Sequence, residues 1–204
     1  MQALLSLGMG YLIGCLNPAA LVSKIKDVNL KEVGTKNLGA TNTALTLGKK
    51  AGYFVLAFDM CKSFFSYKLA KTLFPQLVVA GLIAGLGALL GHCFPFFLHF
   101  QGGKGLASFG GLVLAHDPLV FGILLTLGLI LAFAMDYGVY LALSAAALFP
   151  IFSYFRSGSL SVFLAAAMAG GLVIGMHWSN FQRARSGEDP IHMRNGLRKV
   201  FGKK

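Results

Sequence analysis

The chain is 204 residues long, 56% hydrophobic and 12% charged, with a mean hydropathy of +0.70. These values exclude an ordinary soluble domain and fit a single integral membrane domain over residues 1–204, built from several spans of roughly 20 residues each. The net charge of +11 sits at the flanks of apolar segments, which points to anionic lipid headgroups and topology and away from nucleic acid.

Ala3 to Val22 is apolar, with no positive n-region and no Ala-x-Ala cleavage site, and is expected to persist as a first span. Lys24 to Lys50 follows as a long basic loop. Further apolar stretches run over Ala51 to Phe74, Leu77 to Phe97, Leu106 to Ala115, Leu119 to Met135, Gly138 to Phe155 and Leu160 to Met176. The expectation is an all-α membrane protein, a compact bundle of seven transmembrane helices. The fourth stretch has half the usual length, so it is either a short crossing or a re-entrant segment.

Charge placement separates the two, because short cytoplasmic loops collect Lys and Arg. Lys24, Lys26, Lys31, Lys36, Lys49 and Lys50 crowd the first long loop, and Arg183, Arg185, Arg194, Arg198, Lys199, Lys203 and Lys204 crowd the tail over 177–204. A short fourth crossing, with the N-terminus outside and the C-terminus cytoplasmic, puts both groups inside together with loop 99–105. A re-entrant segment would send the basic tail outside. Cys15, Cys61 and Cys93 lie in apolar stretches at no metal-ligand spacing and read as small buried hydrophobes.

Three polar clusters fall on the inner side of that scheme. Thr35, Asn37, Thr41 and Asn42 lie in a stretch of small, hydroxyl and amide residues, which suits either phosphate and polyol oxygens or a well-turned surface loop. Gly91 to Ser108 ends a long apolar segment at His92, passes Pro95 and several phenylalanines, and enters Gly102-Gly103-Lys104-Gly105. Glycines let successive N–H groups turn towards one anion, and Lys104 supplies a full positive charge. On a helix continuing past the last span, His177, Asn180 and Arg183 share a face, either around a phosphate or as a juxtamembrane segment anchored by Trp178. Asp59 and Lys62, three apart in the second span, are expected to pair and neutralise each other at depth. His92 is expected to support the end of its span or the glycine loop. His99, His116 and His192 lack convergent ligands, and no metal or cofactor is assigned.

These clusters resemble the three motifs of the bacterial acyl-phosphate:glycerol-3-phosphate acyltransferase family. Gly34 to Asn42 is similar to its motif ending in Gly-Ala-Thr-Asn, Gly91 to Gly105 to its Gly-His-x-Phe-Pro segment leading into Gly-Gly-Lys-Gly, and His177 to Gly187 to its His and Asn motif. Asp59 and Lys62 match a family Asp-x-x-Lys. The resemblance implies a seven-span enzyme of the bacterial inner membrane with its active site towards the cytoplasm. It would transfer a fatty acyl group from acyl phosphate to the 1-hydroxyl of glycerol 3-phosphate, giving lysophosphatidic acid and phosphate for phospholipid synthesis. An upstream acyl-phosphate-forming enzyme would supply the donor.

Such a reaction needs charge neutralisation more than strong acid catalysis, because an acyl phosphate already carries a good leaving group. Lys104 with the N–H groups of Gly102, Gly103 and Gly105 is the expected site of one phosphate. Asn37, Thr41, Asn42, His177 and Asn180 are expected around glycerol 3-phosphate. The hydroxyl proton goes to His177 or to the substrate phosphate, whose second pKa is about 6. The chain departs from the family at Thr35-Lys36-Asn37 for Ser-Gly-Asn, at Leu45 for an Arg, at Gln101 for a Lys, at Gly187-Glu188-Asp189, and at Asp136-Tyr137-Gly138-Val139 with Ala142, where a basic, serine-bearing start is usual. A divergent active acyltransferase and a member with an altered acceptor or lost activity both fit these changes; an organic-anion or phosphate transporter is the alternative of another class.

Overall fold

The computed structural model describes residues 1–188 and 192–193. Arg194, Arg198, Lys199, Lys203, Lys204 and Asp189, invoked above for the tail, lie outside the described residues. The fold is helical and forms two compact units, Met1–Pro118 and the part from Leu119 onward. In chain order the helices are α1 (Gln2–Cys15), α2 (Pro18–Ile25), α3 (Ala40–Leu47), α4 (Lys49–Leu73), α5 (Ala80–Cys93), α6 (Leu106–His116), α7 (Pro118–Met135), α8 (Val139–Ser157) and α9 (Leu160–Ser186).

Among the described residues, five segments are long and apolar enough to cross a membrane: Gln2–Ile25, Ala80–Leu98, Pro118–Met135, Val139–Ser157 and Leu160–Ser186. The 25-residue α4 has the length but carries Asp59 and Lys62 at its middle, and α6 is apolar with only 11 residues. The first apolar stretch is not one continuous helix. Pro18 has no N–H and disfavours helical geometry at the residue before it, so the helix breaks at Leu16 and Asn17. Asn17 then caps α2, its Oδ1 accepting the Ala20 N–H at 2.9 Å.

In the first unit, α5 lies against α1 through small residues. A Cβ on Gly14 would overlap the Ala88 carbonyl, and one on Gly91 would overlap the Tyr11 carbonyl, so the two backbones touch where side chains would normally separate them. The Tyr11 hydroxyl adds a bond to the Phe94 carbonyl at 2.9 Å, which fixes the end of α5 from which the glycine loop departs. At the far end of the unit the Tyr67 hydroxyl of α4 meets His116 Nδ1 of α6 at 3.1 Å.

In the second unit, α7 buries Val120, Leu124, Gly128 and Ala132, a four-residue spacing that keeps one narrow stripe covered. The α7–α8 turn passes through Asp136 in the left-handed region (φ 66°). Asp136 pairs with His192 at 2.8 Å and its carbonyl accepts the Met193 N–H at 2.9 Å, tying that turn to the segment after α9. Helix α9 continues past Met176 to Ser186, as the third polar cluster requires, and stops at Gly187 (φ 75°). There the Glu188 N–H reaches the Arg183 carbonyl at 2.9 Å and the Gly187 N–H the Ala184 carbonyl at 3.2 Å, a Schellman termination.

Candidate active site

The glycine loop is built as a reversal. After α5 the chain passes Pro95, makes one 3-10 turn over Phe96–Leu98, and turns back through His99 (φ 55°) and Phe100 (φ 58°). Gly102 and Gly103 then run beside the end of α5. The Gly102 N–H donates to the Cys93 carbonyl at 2.9 Å and the Gly103 N–H to the His92 carbonyl at 3.1 Å. These bonds satisfy two carbonyls that the helix end leaves open. The Gly102 and Gly103 donors are thus engaged within the protein and hold the loop. Gly105, in the left-handed region (φ 86°), starts α6, and Lys104 between them is half-buried.

Behind the loop lies a buried charged cluster. Lys62 Nζ is 2.7 Å from Asp59 Oδ1, with both side chains 2% exposed, which is the expected ion pair. The same ammonium reaches the Leu16 carbonyl at 2.8 Å, a group freed by the α1–α2 break, and His92 Nδ1 at 3.0 Å. His92 Nδ1 is also 3.2 Å from Asp59 Oδ1. The other edge of the ring faces the loop: a Cβ on Gly103 would overlap His92 Nε2 and sit 2.7 Å from the Leu38 carbonyl. His92 therefore supports the glycine loop, as expected from its position. Of the cysteines, Cys15 and Cys93 are buried as expected, whereas Cys61 is exposed on α4.

The first motif is organised by one side chain. Asn42 is 1% exposed. Its Nδ2 donates to the carbonyls of Leu30 (2.8 Å), Val33 (3.1 Å) and Asn37 (3.0 Å), and its Oδ1 accepts the Thr35 N–H at 2.7 Å. An amide so occupied shapes the loop. Residues 40–47 are also helical, not loop: α3 carries Asn42 inward and Thr41 outward. Thr35 and Asn37 are half-buried and Thr41 exposed, so the remaining polar groups of this motif lie at the surface of the unit. Lys31, which sequence reasoning counted only as a topology marker, reaches Gln101 Oε1 at 3.3 Å and the Leu98 carbonyl at 3.5 Å. With the Leu38 carbonyl beside Gly103, this contact brings the first motif and the glycine loop together.

In the second unit His177 is buried, and its Nδ1 donates to the Val173 carbonyl at 2.9 Å. That bond leaves Nε2 as the basic nitrogen of the neutral ring. Asn180 Oδ1 accepts from Arg183 Nη2 at 2.6 Å, so the expected shared face of these two residues is present.

Comparison with known proteins gives these arrangements a family. A family model described as glycerol-3-phosphate acyltransferase matches residues 4–187. The chain belongs to the glycerol-3-phosphate acyltransferase family. Among curated members it is similar to a glycerol-3-phosphate acyltransferase 2 of Bacillus cereus, 35% identical over 183 residues that cover 89% of this chain and 91% of that one. The glycerol-3-phosphate acyltransferase of Dechloromonas aromatica (strain RCB) is 33% identical over 190 residues, 93% and 96% of the two chains. Among solved structures, the glycerol 3-phosphate form of PlsY (YgiH), an integral membrane glycerol 3-phosphate acyltransferase, superimposes with a TM-score of 0.88 at 30% identity, covering 98% of this chain and 100% of that one. Its lysophosphatidic acid form gives a TM-score of 0.83 over 93% and 94%. This member of the glycerol-3-phosphate acyltransferase family is thus a multi-pass membrane protein. Three of its departures fall at the surface of the first unit: Leu45 is 63% exposed, Gln101 is exposed, and Lys36 is exposed at a left-handed position (φ 54°), whereas Val139 and Ala142 of the second unit are buried.

Proposed function

We propose that the chain transfers a fatty acyl group from acyl phosphate to the 1-hydroxyl of glycerol 3-phosphate, giving lysophosphatidic acid and inorganic phosphate at the cytoplasmic face of a bacterial inner membrane. The observation that carries this reading is family membership over residues 4–187 together with a lysine in a loop held rigidly by the end of α5. The hydroxyl oxygen attacks the acyl carbon, the carbon–oxygen bond to phosphate breaks, and phosphate leaves with its electron pair. Lys104 neutralises phosphate charge, with the Gly105 N–H beside it. Thr35, Asn37, Thr41 and Asn180 bind glycerol 3-phosphate, and the hydroxyl proton goes to His177 Nε2 or to the substrate phosphate. Asn42, Gly102 and Gly103 act as scaffold. An enzyme that joins an acyl group to phosphate supplies the donor.

The whole chain acts as one acyltransferase domain with seven crossings, α4 and the short α6 included, the N-terminus outside and the C-terminus cytoplasmic. Three contacts support that path. Lys31 and Gln101 join the α2–α4 connection to the α5–α6 loop, Tyr67 and His116 join the opposite ends of α4 and α6, and Asp136 and His192 join the α7–α8 turn to the segment after α9.

Purified protein in detergent or proteoliposomes, given acyl phosphate and labelled glycerol 3-phosphate, is expected to form labelled lysophosphatidic acid. Absence of that product above heat-killed protein sinks the reaction for this acceptor. Product with another polyol phosphate alone identifies the altered acceptor that Leu45 and Gln101 would permit, and saturable anion flux across sealed vesicles without product identifies a transporter.

A further inference from the structure

The cluster of Asp59, Lys62 and His92 is buried and stands directly behind the loop that carries Lys104. An ammonium has three protons to donate. Lys62 Nζ has three acceptors at hydrogen-bond distance: Asp59 Oδ1 at 2.7 Å, the Leu16 carbonyl at 2.8 Å and His92 Nδ1 at 3.0 Å. The third contact bears on the tautomer. Nδ1 faces both the Lys62 ammonium at 3.0 Å and Asp59 Oδ1 at 3.2 Å; the shorter, charge-assisted contact and the three donors of Lys62 favour a lone pair on Nδ1, since an N–H there would leave one Lys62 donor unsatisfied in a buried site. That arrangement puts the proton of the neutral ring on Nε2, the edge that lies against Gly103. The His92 carbonyl accepts the Gly103 N–H at 3.1 Å, so ring and backbone of one residue hold the glycine from two sides.

We propose that Lys62 is a positioning residue for the phosphate loop: by fixing His92 as the Nε2–H tautomer it holds that ring against Gly103 and thereby sets the place of Lys104. The inference rests on the reading of Lys104 as the residue that neutralises phosphate. It explains why a charged pair sits at the middle of α4, where intramembrane charge is costly. Lys62 also joins three separate pieces of chain, since its partners belong to the end of α1, to α4 and to the end of α5.

The test has two arms. Nitrogen-15 NMR of histidine-labelled protein in micelles, with the His92 resonances assigned by their loss in His92→Gln, reads the tautomer without any turnover. Wild type is expected to show Nε2–H at His92, and Lys62→Met a shift towards Nδ1–H, drawn by Asp59 Oδ1 at 3.2 Å; Nδ1–H in wild type overturns the proposal. The second arm is a double-mutant cycle with Lys104→Ala, read as acyl transfer and as binding of inorganic phosphate. Lys62→Met is expected to lower kcat by about tenfold or more in the wild-type background and less than about twofold beside Lys104→Ala, because both act through one group. Equal losses in the two backgrounds overturn it. His92→Asn keeps an acceptor for Lys62 while withdrawing the ring from Gly103, so it repeats the cycle with the ion pair intact. It is expected to give the same non-additivity. A wild type with the expected tautomer and a non-additive phosphate-binding cycle, but no lysophosphatidic acid, refutes the proposed reaction and leaves this role standing. Transfer with additive variants does the reverse.

Discussion

The two polar loops of the first unit contain similar residue types and are held by different means. The loop that precedes α3 is gathered by a single neutral side chain, Asn42, which takes four backbone partners between Leu30 and Asn37. The glycine loop is held in another way. It is pinned by backbone bonds to the end of α5 and by the edge of His92, behind which stand Asp59 and Lys62. A residue type that can bind a substrate can equally bind its own chain, and only geometry tells the two apart. In the first loop the amide with the best ligand chemistry is structural. In the second, Gly102 and Gly103 spend their N–H groups on the end of α5, and Lys104 is the proposed functional group.

That division makes the two loops separable by mutation. The largest effect is expected at Lys104: Lys104→Ala should lower turnover by about 10² to 10³-fold, the scale of losing a charge-stabilising donor, with little change in unfolding temperature. Loss of folded protein in place of turnover would mean that the lysine, too, is scaffold. Next comes Gly103→Ala. Its Cβ would overlap His92 Nε2 and approach the Leu38 carbonyl at 2.7 Å, so overpacking should cost about 1–3 kcal/mol and reduce turnover through displacement of the loop.

Asn42→Ala should show the opposite balance. Removing the amide leaves buried backbone groups unpaired at about 1–3 kcal/mol each, so detergent-based thermal unfolding should register a clear loss while KM for glycerol 3-phosphate changes only a few-fold. Thr41→Ala, at an exposed position of the same helix, should leave stability unchanged and raise KM alone. If Asn42→Ala instead abolished turnover at full stability, its place among the scaffold residues would be wrong. The smallest effect is a gain. Leu45→Arg puts a guanidinium on an exposed site where the family usually has one, and a single charge-assisted contact of about 1 kcal/mol lowers KM for glycerol 3-phosphate roughly fivefold.

Much of the fold was legible because the bilayer imposes long apolar runs, and the segments over 80–98, 118–135, 139–157 and 160–186 follow that rule. The break at Asn17 and Pro18 was written in the sequence as a cap followed by a proline, but it lies inside an apolar run that masked it. Helix α3 escaped notice because Gly39 to Leu47 has no apolar period; it is stabilised by what Asn42 and Thr43 bind. The Asp59–Lys62 pair could be read from spacing, since residues three apart on a helix share a face. Its link to His92, 30 residues on, could not, because it depends on how α4 and α5 meet. Nor could spacing reveal that the Gly102 and Gly103 donors are taken by the carbonyls of Cys93 and His92. Lys31 was visible only as one more positive charge, and its reach to Gln101 is a matter of tertiary contact.

The most direct measurement is the stoichiometry of the reaction in proteoliposomes, with lysophosphatidic acid and inorganic phosphate followed together for wild type and Lys104→Ala. Equal amounts of both products from acyl phosphate and glycerol 3-phosphate, nearly abolished in the variant while its fold is kept, is the predicted result. Phosphate release without lysophosphatidic acid, or product formation that survives Lys104→Ala undiminished, would contradict it.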